Sequence, residues 1–231
     1  MAAVSSPATL GALPLFHDLS AQQLQRLNGM LRRKTFPAGV DIVMVEQPGE
    51  VAYIILDGTV KIYAEQADGS NVILAILGAG EIFGEMSILE NIGRSATVVT
   101  LEEATLLWVD RLMFEECLRT MPEMSYNLVR IFSRRLRLAN AQIQALATLD
   151  VFGRVARQLL AFASEYGLPQ PGGGALIPLR LTQSDIAGMV GASRVRVNQV
   201  LAFYKQHHYI TIDQDARITV LDTDALELRC R

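Results

Sequence analysis

Apolar positions recur along this chain with different periods in successive segments. Residues 10–34 carry a helical spacing, with Ser20 placed to cap the run AQQLQRLNGMLRR. From Thr35 to about Asp110, short Val/Ile/Tyr-rich runs alternate with turns at Gly39, Gly49, Gly58, Gly69 and Gly80. That rhythm fits an antiparallel sandwich or barrel. VAYIILDGTVKIYAE reads as strand, Asp57-Gly58 turn, strand, and IYAEQADGSNVILAIL repeats the pattern around Asp68-Gly69. Helical texture returns at Phe114–Leu118, is interrupted at Met121-Pro122, and then runs from about Glu123 to Thr148. In this run Val129, Phe132, Leu136, Ala139, Ile143 and Leu146 repeat at 3-4-3-4-3, the spacing of a coiled-coil seam, with Arg130, Arg134, Arg137 and Gln144 off it. A helix about 39 Å long at ~1.5 Å per residue needs a partner for that stripe, either elsewhere in its own chain or in a second copy.

Beyond the long run, Asp150 is placed to cap a helix from Val151 to about Tyr166, ended by Gly167, and PQPGGG follows as an exposed loop. Ile177–Leu181 reads as a short strand or an extended lead-in. Then LTQSDIAGMVGASRVRVNQVLAFYK reads as helix, tight turn and helix. Thr182 caps the first helix with Asp185 three residues on, Gly191 supplies the left-handed residue that ends it, and Ser193 caps the second. Val197, Val200, Leu201 and Tyr204 form the core-facing stripe of that second helix. Arg194, Val195, Arg196, Asn198 and Gln199 are left on its outer and flanking faces, where a helix-turn-helix recognition helix meets base edges. HHYITIDQDARITVLD reads as a hairpin, Tyr209–Ile212 and Arg217–Leu221, so that the whole reads as a winged helix. A two-fold DNA reader favours self-pairing of the long helix as a parallel dimer over packing within one chain.

Charge sharpens this picture. The 231 residues carry a net charge of −3, which by itself argues weakly against nucleic acid. Residues 1–118, however, hold 7 Lys/Arg against 15 Asp/Glu, whereas residues 119–231 hold 14 against 9. The basic half is the one with the helix-turn-helix, as phosphate binding requires. Half of the residues are apolar, enough for two domains with substantial cores. No run of about 18 apolar residues indicates a membrane span. The first residues lack the basic segment of a secretory signal, so a reducing cytoplasm is the expected setting. Cys117 and Cys230 are isolated, with no metal-ligand spacing. No metal, haem or iron–sulfur cluster is expected: the clustered cysteines a cluster needs are missing, and His17, His207 and His208 are poorly placed as haem ligands.

A second chemical signal lies inside the β-rich segment, in GEIFGEMSILENIGRSATV. Gly84 lets a backbone approach a ligand closely. Glu85 offers a carboxylate to a ribose hydroxyl, Arg94 a guanidinium fork to a phosphate, and Ser95 a hydroxyl and an N–H beside it. A short helix at Met86–Leu89 presents amides to an anion. The competing reading is a ligand-free fold in which Glu85 and Arg94 pair with each other.

FGEMSILENIGRSATV resembles the phosphate-binding cassette of cyclic-nucleotide-binding domains. LDVFGRVARQLL and LTQSDIAGMVGASR resemble the hinge and the DNA-binding domain of the bacterial cyclic-AMP receptor protein and FNR superfamily, so the resemblance covers about residues 10–222. It implies an α+β architecture: an N-terminal jelly-roll sensor domain over 1–118, a dimerisation helix over 119–148, and a winged helix-turn-helix domain over 149–231. It further implies a homodimer that binds a palindromic operator in double-stranded DNA, contacts RNA polymerase and answers to cyclic AMP. Gly84 and Glu85 would then contact ribose, and Arg94 and Ser95 the cyclic phosphate. Where cyclic-AMP-binding members carry a Thr-Ser or Thr-Asn pair for adenine, this chain has Ala139-Asn140, so Asn140 alone retains an amide for the base. Arg135, one turn earlier, is placed to brace Glu85. Thr182, Ser193, Arg194, Val195, Arg196, Asn198 and Gln199 would face DNA. The family's S-R-E-T-V-x-R reads here Ser193-Arg194-Val195-Arg196-Val197-Asn198-Gln199. Arg194 keeps a guanine contact, while Val195 cannot accept from cytosine and either meets a thymine methyl or stands idle. A constitutive regulator and a nucleotide-processing enzyme are the alternatives. The second has no Ser/His/Asp array or Walker loop behind it.

Overall fold

The computed structural model describes residues 6–65 and 71–230, so the turn expected at Asp68-Gly69 lies outside the described residues. The chain divides into two compact units, the first comprising Met1–Glu65 and Ile76–Arg135 and the second Gln66–Ala75 and Leu136–Arg231.

The first unit opens with α1 (Pro7–Gly11), a 3-10 turn (Pro14–Phe16) and α2 (Ala21–Met30). Ser20 and Gln23 cap α2 reciprocally, removing two of the unpaired amides of its first turn. The sequence reading carried this helix through Arg33. The helix instead stops at Leu31, which is fully buried, and Arg32–Phe36 becomes strand β1, held in register against 104–108. Sheet pairing outweighs local helical preference there.

Strands β2 (Asp41–Val43), β3 (Val51–Asp57), β4 (Val60–Glu65), β5 (Asn71–Leu77) and β6 (Ile82–Phe83) follow, then helix α3 (Glu85–Glu90), β7 (Thr97–Thr100) and β8 (Ala104–Asp110). They form two four-stranded sheets, ordered β1-β8-β3-β6 and β2-β7-β4-β5, the expected jelly-roll sandwich. Ile54, Ile55, Val60, Ala104, Leu106 and Leu107 are fully buried, which is why these strands read as near-continuous apolar runs. Helices α4 (Arg111–Thr120) and the start of α5 (Pro122–Thr148) join α1 and α2 over one sheet. Leu10, Phe16, Leu27, Phe114, Met124 and Ile131 share a core with Ile54, Leu107 and Val109.

The second unit contains the end of α5, then α6 (Val151–Tyr166), β9 (Leu168–Pro169), β10 (Ala175–Ile177), α7 (Gln183–Val190), α8 (Arg194–Gln206), β11 (Ile210–Ile212), β12 (Ile218–Val220) and α9 (Thr223–Leu228). Asp150 caps α6 through the Gly153 amide at 2.8 Å. Two expectations are corrected here. Of the short strand or extended lead-in read at Ile177–Leu181, the strand lies earlier, at β10, because Ala175–Ile177 pair with Ile218–Val220. The wing is also not a lone hairpin but a four-stranded sheet, β11-β12-β10-β9. Helix α9 had no counterpart in the sequence reading. Its Leu226 is fully buried, which docks the end of the chain.

Candidate ligand cassette and nucleic-acid interface

The cassette is built around one glycine. Gly84 ends β6 and caps α3 with φ +81°, a left-handed conformation that favours glycine. A Cβ there would lie 2.7 Å from Arg94 Nη1 and 3.0 Å from the Val51 carbonyl oxygen. That space is occupied by Arg94, whose Nη1 donates to the Gly84 carbonyl at 2.8 Å and Nη2 to the Val51 carbonyl at 2.7 Å. Gly49 serves the same loop: a Cβ on it would overlap the Ser87 Cβ at 2.2 Å. Arg111 ties the far end of α3 down, donating to the Ile88 carbonyl, Asn91 Oδ1 and the Gly49 carbonyl.

Glu85 and Arg94 do not pair with each other. Arg94 is 7% exposed and held by carbonyls, and its five-donor fork keeps capacity for an anion beyond those two bonds. Burial lowers its pKa from the ordinary value. Glu85, 1% exposed, accepts from Arg135 Nη1 at 2.8 Å. Burial raises the Glu85 pKa, and the Arg135 charge opposes that rise.

The sequence reading missed Glu81. This buried carboxylate accepts from Arg135 Nη2 at 2.9 Å and pairs with Arg134, while Arg135 also donates to the Ile82 carbonyl. Two buried acids and two arginines of α5 thus lock the cassette to that helix. The available signal was the GEIFGE spacing, which places a second carboxylate four residues before Glu85. Tyr53 lies beside Arg94, stacked on Phe83 at 5.1 Å, with its pKa raised by burial.

Gly84, Glu85, Arg94 and Arg135 are therefore brought together. Ser95 follows Arg94 and is exposed, and Asn140 is exposed on the part of α5 that belongs to the second unit.

Along α5 the expected seam faces outward. Val129, Leu136, Ile143 and Leu146 are 59%, 62%, 65% and 46% exposed. Ala139 is also exposed and Phe132 half-buried. Tyr126, 66% exposed, continues the stripe one turn earlier and was not in the sequence reading. In the second unit the opposite face is used internally: Gln142 Nε2 donates to the Met189 carbonyl at 2.8 Å and Ala145 is buried.

The helix-turn-helix is fixed by its caps. Thr182 Oγ1 accepts from the Asp185 amide at 3.2 Å and donates to the Asp185 carboxylate, which also takes the Thr182 amide. Gly191 turns the chain with φ +60°, and Ser193 caps α8 through the Arg196 amide. Val197, Val200, Leu201 and Tyr204 are buried. Arg194, Val195, Arg196, Asn198 and Gln199 are exposed, Val195 at 69%. Asn198 also accepts from Gln183 Nε2 at 2.9 Å, tying α7 to α8.

Two family models match. One is the cyclic nucleotide-binding domain, over residues 33–121, and the other the Crp-like helix-turn-helix domain, over residues 153–229. The CRP-like cAMP-activated global transcriptional regulator of Mycobacterium tuberculosis is 34% identical over 217 residues, 94% of this chain and 96% of that relative. This chain belongs to the CRP/FNR superfamily of transcription regulators. A second relative of this CRP-family chain is the cyclic AMP receptor protein of Thermus thermophilus, 32% identical over 188 residues, 81% of this chain and 83% of the relative. The fold matches FixK2 from Bradyrhizobium japonicum with a TM-score of 0.76 at 19% identity, over 87% of this chain and 98% of that one. The Mycobacterium tuberculosis relative is a transcriptional regulator by name, and the CRP-family chain is a DNA-binding transcription regulator, not an enzyme. No described helix is long and apolar enough to cross a membrane.

Proposed function

We propose that this regulator works in the cytoplasm as a homodimer whose operator binding is switched by a cyclic nucleotide, with cyclic AMP the first candidate. The observation that carries the reading is the pair of buried, oppositely charged groups, Glu85 and Arg94, each held by partners other than the other. Mutual neutralisation would leave nothing for a ligand, whereas here each group is oriented by other partners. The donor set of the first unit fits the effector: a carboxylate for ribose hydroxyls, and a guanidinium and the Ser95 hydroxyl for the phosphate. Two relatives named for cyclic AMP support the choice of nucleotide. The outward apolar stripe of α5 supports self-pairing over residues 119–148, which would leave 1–118 as sensor and 149–231 as DNA reader.

On the DNA side, Arg194 would donate to guanine, Val195 would meet a thymine methyl, and Gln199 would read adenine or hold phosphate. Thr182, Ser193, Arg196 and Asn198 would position the motif on the backbone. Contact with RNA polymerase is part of the same proposal, carried over from the family resemblance. The deciding experiment is calorimetric titration with cyclic AMP and cyclic GMP, on the wild type and on Arg94→Ala, beside operator binding with and without cyclic AMP at fixed salt. Binding that Arg94→Ala abolishes while the fold persists is expected. No heat with either nucleotide, with operator binding intact, would favour the constitutive regulator. Family members that carry S-R-E-T-V-x-R read half-sites of the TGTGA type, so selection on random DNA should recover half-sites that differ from TGTGA at one or two positions, and unmodified TGTGA would refute the assignment of Val195.

A further inference from the structure

One aromatic cluster in the second unit gathers positive charge rather than burying it. Phe152, the second residue of α6, meets Phe203 and Tyr204 of α8 edge-on at 5.4 and 6.0 Å. Its carbonyl accepts from the Tyr204 hydroxyl at 2.7 Å. This ring is therefore fixed against the recognition helix from below. Two guanidiniums lie over it. Arg196, from the first turn of α8, stands 5.3 Å from the ring centroid, and Arg229, just past α9, stands 6.0 Å from it and 5.1 Å from Phe203. Both arginines are exposed. Among the described residues neither is within ion-pair distance of a carboxylate, and Arg196 donates instead to the neutral amide oxygen of Gln199 at 3.1 Å.

A flexible arginine costs rotamer entropy when it must be ordered for binding. An aromatic face lowers that cost without neutralising the charge. Two like charges drawn to one ring repel each other until an anion joins them. The planar forks match phosphate oxygens, and the site adjoins the exposed first turn of α8, where the DNA backbone must pass if that turn reads bases. We infer that Arg196 and Arg229 form a DNA-phosphate site organised by Phe152, which acts as a positioning residue. The inference rests on α8 being the base-reading helix, yet its signature differs from that of base reading: a phosphate contact weakens all sequences alike.

The test measures binding of the full-length protein to an operator duplex recovered by selection and to an unrelated duplex, across a salt series. Arg196→Ala and Arg229→Ala should each weaken both duplexes by a similar factor and reduce the magnitude of the salt slope by about 1 for each phosphate lost. Phe152→Leu should weaken both by about two- to fivefold, the worth of an exposed cation–π contact, and Phe152→Tyr should restore binding. In the Arg196→Ala/Arg229→Ala background, Phe152→Leu should have no further effect. A loss confined to the operator, or an unchanged salt slope for either arginine, overturns the phosphate assignment. An equal loss from Phe152→Leu in the double-alanine background overturns the positioning role. Failure of base reading itself would show separately, as Arg194→Ala leaving operator preference intact.

Discussion

At the scale of single residues, Gly84 seats Arg94, whose Nη1 donates to the Gly84 carbonyl at 2.8 Å. Its left-handed backbone would cost a substituted L-residue about 1–2 kcal/mol, and the added carbon would press on Arg94 and on the Val51 carbonyl. Gly84→Ala should therefore lower the thermal midpoint and also abolish nucleotide heat, because Arg94 loses its seat. A variant that still titrated like the wild type would detach this close approach from ligand binding. A second residue-scale expectation concerns Cys117, whose thiol is pushed up to about 11 by burial. Its folded pKa lies above the ordinary value of 9.0 for an exposed thiol. The stability from keeping it neutral is therefore complete below that value and drains away as pH climbs towards 11. At neutral pH, iodoacetamide followed by mass spectrometry should label half-buried Cys230 before Cys117. Prior labelling of Cys117 would mean that the α4 core opens readily.

At the scale of elements, α5 decides the assembly. Its outward stripe is apolar from Tyr126 to Leu146, and a carboxylate in the middle of a paired seam would be desolvated without a partner, at a cost of several kcal/mol. Leu136→Asp should turn a dimer into a monomer by sedimentation while leaving the circular dichroism of the monomer unchanged. An unaltered mass would place the dimer elsewhere. The stripe, the helix caps at Ser20, Asp150, Thr182 and Ser193, and the left-handed turn at Gly191 were all legible in the sequence, because each is a local pattern of a few residues. The pieces that escaped are set by pairing at a distance. Arg32 and Arg33 continue a helical run in sequence yet become strand because β8 needs a neighbour. The β9–β10 pair is added to the wing by a loop whose composition gives no strand signal. Glu81 escaped because its partners, Arg134 and Arg135, lie more than fifty residues away. The same pairing explains why the Glu85–Arg94 contact weighed at the outset does not form: Arg135 takes Glu85, and the Gly84 and Val51 carbonyls take Arg94.

At the scale of the whole molecule, charge is divided between functions. The acidic N-terminal half holds its key charges buried, whereas the basic C-terminal half leaves Arg194, Arg196 and Arg229 exposed. Salt acts differently on the two. Exposed arginines release counterions when they meet phosphates, so operator affinity should fall steeply as salt rises. A nucleotide held by buried Glu85 and Arg94 is screened far less, and its affinity for the free protein should move little over the same range. Coupling between the sites then has a thermodynamic signature that no single-site measurement carries. If cyclic AMP tightens operator binding by some factor, saturating operator must tighten cyclic AMP binding by that same factor, about 5- to 150-fold for ordinary allosteric coupling. Nucleotide titrations with and without excess operator at one salt concentration should give a ratio equal to that from operator titrations with and without nucleotide. A ratio of one in both directions would leave the cassette a ligand site without a regulatory role, and would make this chain a constitutive reader of its operator.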